Sequence, residues 1–521
     1  MDHVLRPLPS RTQTTWAAVC GVVAGLLGIG VSDLAARLIT PAGSPLAAVG
    51  SVIIGLLPAG MVNFGKDVLG RADKPVLLVI VALGVLALCA LGGVAELRRR
   101  GGGPLVFGVV AAVGVASVAV GSGADVKAYV PTLVGVLLAC VLLSSLLTRL
   151  RRWQPARVLP TSGGPSDPSR RGFLVRTALW GAVAAAATVS GRVLIGAANR
   201  ISDARRNLSL PVPTTPAPPV PAGADLGIAD LSPYLTPNDD FYRIDTALQV
   251  PVIDPAAWSI RVTGMVEQEV SMTFDELLAQ PLVEHVATLT CVSNEVGGNL
   301  VGNASWLGYP IRELLARAKP QQGADMVLSR SEDGFTASTP LEVLLDPDRA
   351  CLLAVGMNGQ PLPLEHGFPV RMVVPGLYGY VSATKWVVDL KVTTFAEDSG
   401  YWTPLGWSEK GPIKLSSRID VPGSSVDAGT VAVAGVAWAQ HTGIGSVEVQ
   451  VDDGPWAQAE LAETAGPDTW RQWRYAWDAT AGDHRLTVRA TDAKGEPQVA
   501  AEAPPAPDGA TGYHSVRVTV R

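Results

Sequence analysis

The chain has 521 residues, and only 17% of them are charged, against roughly 25% in a typical soluble chain. Mean hydropathy is +0.28 and the apolar residues crowd into the first 200 positions, which excludes a single soluble globule. A net charge of −5 from 41 Lys+Arg and 46 Asp+Glu offers no basic surface, and nucleic-acid binding is excluded with it.

Uncharged apolar runs occur at 16–32, 41–65, 75–95, 104–121 and 128–148, each about the 17–25 residues a helix needs to cross the hydrocarbon. They predict five transmembrane helices within residues 1–150. Arg98, Arg99 and Arg100 lie between the third and fourth runs, and Arg149, Arg151, Arg152, Arg157, Arg170, Arg171 and Arg176 follow the fifth. Basic loops stay cytoplasmic, so the N-terminus is expected outside, against the milder pull of Lys66, Arg71 and Lys74. All six histidines (His3, His285, His366, His441, His484, His514) lie outside these runs and no CxxC pair occurs. A bis-histidine haem between the membrane helices and an iron–sulfur cluster are therefore excluded.

Residues 151–200 carry Ser169-Arg170-Arg171-Gly172-Phe173-Leu174-Val175, followed by an alanine-rich segment from Thr177 to about Ala198. The pattern resembles an internal twin-arginine export signal leading a sixth membrane segment; a basic flank for an ordinary span is the alternative. Such export carries folded cargo, so everything after about residue 200 is expected outside the membrane. Residues 201–224 include Pro211, Pro213, Pro216, Pro218, Pro219 and Pro221 and read as a stiff, extended spacer.

From 225 to 410 the pattern is mixed α and β. Alternation at Trp258–Thr263 and the run Val370–Pro375 predict strands, whereas Thr273–Leu278 and Ile311–Arg317 predict short helices, Thr273 capping against Glu276. From 411 to 521, runs at Val431–Trp438, Val447–Val451, Arg485–Ala490 and His514–Val520 recur between Gly, Asp and Pro turns, the pattern of an Ig-like β-sandwich.

Four ordered segments carry chemistry: Asn238-Asp-Asp-Phe-Tyr-Arg243; Thr288-Leu-Thr-Cys-Val-Ser-Asn-Glu295 with Gly302-Asn-Ala-Ser-Trp306; Met357-Asn-Gly-Gln-Pro-Leu-Pro-Leu-Glu-His-Gly-Phe-Pro-Val-Arg371; and Val374-Pro-Gly-Leu-Tyr-Gly-Tyr380 with Lys385-Trp386. Together they resemble the sulfite oxidase family of molybdopterin enzymes over about 230 to 521. The five-span portion is similar to the anchor of some actinobacterial members. The resemblance implies a three-part fold: a helical membrane bundle, an α+β molybdopterin domain and a dimerisation-type sandwich.

It also implies a Mo-molybdopterin cofactor, with Cys291 as the metal's thiolate ligand, a soft donor suited to a centre that changes oxidation state. A buried structural cysteine, or a Cys291–Cys351 disulfide, is the alternative. Arg243, His366, Arg371 and Lys385 match cofactor-holding positions and suit an anionic phosphate; Tyr242, Asn303, Ser338 and Tyr380 are weaker pocket candidates. Cys291, Arg243 and Tyr242 are the expected catalytic set.

Departures bear on the substrate. Family members often have Asn-His after the arginine of the first motif, where this chain has Ile244-Asp245. Sulfite-oxidising members carry Gly-Asn-Arg-Arg after the cysteine, where this chain has Ser293-Asn294-Glu295-Val296, and the sandwich has Trp438-Ala-Gln-His-Thr-Gly-Ile444 where those members bring another arginine. Oxygen-atom transfer to a substrate other than free sulfite is therefore expected, with an external cytochrome or quinone-linked electron partner and a homodimer through the sandwich. Reduction of S- or N-oxides or nitrate is one alternative; a non-catalytic envelope-binding module with a decayed site is the other.

Overall fold

The computed structural model describes residues 10–39, 44–57, 61, 73–120, 126–152, 168–193, 195–247 and 250–521. The chain divides into two compact units, one of Met1–Arg200 with Thr246–Pro251, the other of Ile201–Asp245 with Val252–Arg521.

The first unit is helical: α1 (Arg11–Ile39), α2 (Pro45–Leu56), α3 (Asp73–Arg98), α4 (Gly102–Val120), α5 (Val130–Arg152), α6 (Pro168–Val193) and the start of α7 (Ile195–Asn207). The helix α1 packs against α3, α5 and α6. A side chain at Gly21 or Gly93 would collide with the carbonyl of Cys89 or Ala17, so glycine is what lets α1 and α3 approach closely. Ala17, Cys20, Ala24, Cys89, Leu143 and Leu147 form the core, while Leu83, Leu91, Leu105 and Leu137 are exposed. Apolar side chains on the outside as well as within are the pattern of helices solvated by lipid.

Among the described residues four helices are long and apolar enough to cross a membrane: Arg11–Ala36, Lys74–Arg98, Gly102–Ala119 and Val126–Arg151. The second expected span, 41–65, appears only as the 12-residue α2, which opens on Pro45 with Ser44 as its N-cap and breaks at Leu57; most of the remainder of that run lies outside the described residues. The twin-arginine segment is helical within α6, which is not one of the four.

In the second unit, one five-stranded sheet has the order β2-β1-β10-β5-β6, from β1 (Ser259–Gly264), β2 (Val270–Thr273), β5 (Met326–Ser331), β6 (Thr336–Pro340) and β10 (Val387–Thr393). A second has the order β3-β4-β7-β8 with β9 on β7, from β3 (Val283–Thr290), β4 (Val301–Pro310), β7 (Leu352–Met357), β8 (Gln360–Pro361) and β9 (Arg371–Val373). Short helices α8 (Phe274–Leu278), α9 (Ile311–Ala318) and α10 (Leu341–Leu345) pack with them. Thr273 Oγ1 accepts from Glu276 N and Glu276 Oε2 accepts from Thr273 N, the expected capping box. Ile260, Leu314, Leu315, Leu353 and Leu390 are wholly buried in one cluster joining both sheets, each contributing about 1.5–3 kcal/mol of burial.

The C-terminal strands form two sheets, β11-β13-β17-β16 and β12-β19-β18-β14-β15: β11 (Ser416–Val421), β12 (Ser425–Val426), β13 (Gly429–Trp438), β14 (Ile444–Val451), β15 (Trp456–Gln458), β16 (Glu460–Leu461), β17 (Arg471–Ala479), β18 (Gly482–Asp492) and β19 (His514–Val520). Val433, Trp473 and Trp477 from one sheet meet Val449, Leu486, Val488 and Val518 from the other in a common core, so the two faces are packed as a sandwich.

The proline-rich stretch is extended, as its composition demands, but it does not stand free as a spacer. Arg205 donates to the carbonyls of Leu362 and Pro361 at 2.6 and 2.9 Å. Thr214 N donates to Leu282 O and Glu284 N to Thr215 O, at 2.7 and 2.9 Å, so Thr215 pairs in parallel with Val283 at the start of β3. Proline removes donors only at its own positions, and the threonines between supply the bonds. Further on, Leu226 N donates to Gln472 Oε1 of the sandwich.

Candidate functional site

Cys291 ends β3. Its N–H donates to Leu300 O at 2.9 Å, closing a loop 291–300 whose interior is pinned by Asn294: N to Cys291 O at 3.0 Å, and Oδ1 from Leu300 N at 2.8 Å. The cysteine is 8% exposed. Cys351 lies elsewhere, in the core cluster, its thiol against Val343 O at 3.3 Å, and both are thiols rather than a disulfide. Tyr242 is half-buried, with its phenol turned inward and held well above the usual range by burial and then by the neighbouring Cys291 sulfur, against an opposing pull from Arg371. Tyr378 is pushed up to about 12, first by burial, and also feels Cys291. Both phenols therefore stay protonated.

Phe241 stacks on Tyr242 and meets Trp306 and His366 edge-on at 5.7 and 5.6 Å. His366 is buried, and its Nε2 donates to Asn238 O at 3.1 Å. Burial, Arg371 and Lys385 hold it down to about 3, so it is neutral at physiological pH. Arg371 opens β9, with its guanidinium 5.1 Å from the Trp306 ring centre and donating to the carbonyls of His366 and Met372 at 3.2 and 3.4 Å. Burial lowers it to about 10, which leaves it charged. No carboxylate lies within ion-pair distance of it among the described residues.

The other two cations are differently placed. Lys385 Nζ meets Asp245 Oδ2 at 2.6 Å and Glu365 O at 3.0 Å, and Arg243 Nε meets the same Asp245 oxygen at 3.1 Å. Asp245, whose side chain is 4% exposed, thus neutralises part of what the sequence reads as a four-cation clamp. Asn303 and Tyr380 are committed to the scaffold: Asn303 Nδ2 donates to Tyr234 O and its Oδ1 accepts from Thr288, and the Tyr380 hydroxyl donates to Ser408 O. Ser338 on β6 is buried, with no hydrogen-bond partner for its hydroxyl.

One feature fits an anionic, donor-seeking group: the buried Arg371 guanidinium balanced by carbonyls alone. The Ser338 hydroxyl is one of several buried polar atoms without a partner among the described residues and does not by itself mark the site. Sequence reasoning missed Asp245 as a bridge. It also missed Gln440, whose amide donates to Thr288 O and Thr290 Oγ1 beside the cysteine, and Asn358, which ties Ser305 to Thr236 and Asn238. The Asn358-Gly359 pair, both at positive φ, was the readable signal for that turn.

Residues 247–402 match the oxidoreductase molybdopterin binding domain family. Mitochondrial sulfite oxidase of Homo sapiens is 31% identical over 306 residues, 49% of this chain and 55% of that protein. NADH nitrate reductase of Solanum lycopersicum is 31% identical over 178 residues, covering 29% and 19%. The sulfane dehydrogenase SoxCD of Paracoccus pantotrophus aligns over 56% of this chain and 86% of that chain at 22% identity, with a TM-score of 0.48. The chain spans about half the length of the sulfite oxidases it matches. The family match and the sulfite oxidase relatives make residues 247–402 a molybdopterin-dependent oxidoreductase domain. That domain is similar to the one in the sulfite oxidases, and the cofactor it implies is Mo-molybdopterin.

Proposed function

We propose that the chain is a membrane-anchored oxidoreductase, its catalytic half outside the cytoplasm, that transfers an oxygen atom to or from a neutral small molecule and exchanges electrons with an external redox protein. The observation that carries the substrate class is the charge around Cys291. Two phenols held protonated, Tyr242 and Tyr378, feel its sulfur. Lys385 and Arg243 share Asp245, Lys414 is held by Asp508 and Arg418 by Asp420, and Arg371, which has carbonyl partners alone, is taken up by the pterin.

Molybdenum in its pterin, when bound, supplies the two-electron change and the exchangeable oxygen. In this reading Cys291 is the metal's protein ligand. Arg371 and Lys385 hold the anionic end of the pterin, neutral His366 lends its remaining ring nitrogen as an acceptor, and Ser338 lines the pocket. Phe241 excludes water between Tyr242 and His366, and the Tyr242 phenol donates a hydrogen bond to the substrate oxygen.

Purified full-length protein should contain about one molybdenum and one pterin per chain, and should turn over a neutral organic sulfoxide with an artificial one-electron carrier. Protein made in a pterin-producing host that carries neither metal nor pterin would overturn the assignment. A loaded enzyme inert to sulfoxides but active on an anion would overturn the substrate class.

A further inference from the structure

The sequence marks 411–521 as a dimerisation-type domain, but the structure ties it to the cysteine loop at several points. Thr288 N donates to Asp468 O at 2.9 Å and Thr288 Oγ1 accepts from Trp470 N at 2.7 Å; Gln440 holds Thr288 O and Thr290 Oγ1 at 3.2 and 2.8 Å. These contacts fix the end of β3. The tip of the loop is gripped by Arg418 of β11, its side chain 9% exposed. One guanidinium nitrogen donates to Gly298 O at 2.7 Å, the other to Ser232 Oγ at 2.9 Å, and Nε to Asp420 Oδ1 at 2.6 Å. On the other side, Gly297 sits at φ +77 with no room for a side chain beside the ring of His514, and that ring is oriented by accepting from Ile419 N at 3.0 Å.

We infer that the C-terminal sandwich sets the position of the metal-ligating cysteine, with Arg418 the positioning residue that fixes the 291–300 loop through the Gly298 carbonyl. This rests on Cys291 being the metal ligand. The physical case is that a ten-residue loop held from within only by its neck, by Asn294 and by the Gly298 N to Glu295 O turn bond has nothing of its own to fix its tip against the rest of the domain, whereas a buried guanidinium with three partners does. A bidentate-capable fork on a carboxylate and two oxygens is also a geometry that lysine does not reproduce.

The test uses the full chain in detergent, first free of cofactor. In Arg418→Met, peptide-resolved alkylation of Cys291 should quicken about tenfold and amide exchange at 294–300 should rise, with Cys351 alkylation unchanged. Arg418→Lys should recover only part of the difference. Arg474→Met, which removes an exposed arginine paired with Glu460, should change neither reading. If Arg418→Met fails to fold, Gly297→Ala provides the same measurement from the opposite side of the loop.

In the loaded enzyme Arg418→Met should shift the visible thiolate-to-metal absorption and lower kcat with little change in KM. Alkylation and exchange within twofold of wild type in the folded variants would overturn the inference. Retained visible absorption in Cys291→Ser would instead show that the ligand assignment itself is wrong.

Discussion

Asp245 and Lys385, 140 residues apart in the chain, form a buried ion pair with Oδ2 2.6 Å from Nζ, and the same oxygen accepts from Arg243 at 3.1 Å. One carboxylate thus holds two cations of the proposed cofactor-holding set. Removing one member of a buried pair leaves an uncompensated charge at a cost of about 3–5 kcal/mol. Asp245→Asn should therefore destabilise the cofactor-free chain by roughly 3 kcal/mol in chemical denaturation, and the molybdenum-loaded chain by clearly less, because the cofactor phosphate then faces Lys385. Adding Lys385→Met should restore most of the cofactor-free loss. Equal losses with and without cofactor would mean that Lys385 does not face the phosphate.

That relationship also shows what was legible in the sequence. The capping box at Thr273 and Glu276, the helix opening at Ile311 and the strand at His514–Val520 are local, so spacing alone exposes them. The sequence shows that Asp245 stands where an imidazole is common; it cannot show that the carboxylate turns inward to Lys385, because that needs two segments brought together by β10 and the chain before β1. Arg418 and Gly298 are separated in the same way. Proline content correctly makes 211–221 extended, but it says nothing about whether a neighbouring strand edge has open acceptors, and Leu282 and Glu284 supply the partners that dock it.

The two polar-half cysteines should separate cleanly. Cys291→Ser is expected to abolish turnover while pterin is retained through Arg371 and Lys385. Cys351, whose thiol burial pushes up to about 12, is unreactive packing, and Cys351→Ala should leave kcat unchanged while costing about 1 kcal/mol from the small cavity. Loss of pterin together with activity in Cys291→Ser, or loss of activity in Cys351→Ala, would contradict these roles.

His366 makes stability pH-dependent. Its folded value of about 3 lies below the ordinary 6.5, driven first by burial and then by Arg371 and Lys385. Between those limits the unfolded chain binds a proton that the folded chain refuses, so the contribution is whole above about 6.5 and is lost as the pH falls towards 3. At pH 5 this amounts to about 2 kcal/mol relative to pH 7. Thermal unfolding of cofactor-free protein across this range should show the loss, and His366→Gln, whose amide can still donate to Asn238 O, should flatten it. An unchanged pH slope in that variant would show that His366 is not the group responsible.

Charge should decide the substrate. A sulfite dianion in a partly desolvated pocket needs cations, since an unpaired buried charge costs several kcal/mol. Arg243 is shared with Asp245, Lys414 with Asp508 and Arg418 with Asp420, while Glu295 is an exposed carboxylate in the cysteine loop. Steady-state kcat/KM for sulfite should therefore fall below about 10⁵ M⁻¹s⁻¹, the lower range of efficient enzymes, and below the value for a neutral sulfoxide. Glu295→Arg should raise the sulfite value by about tenfold, equivalent to roughly 1.4 kcal/mol, and leave the sulfoxide value nearly unchanged. A wild-type sulfite value at or above that threshold would mean that a cation reaches the sulfur pocket despite its carboxylate partner, and Lys414→Met would then be the variant that abolishes it.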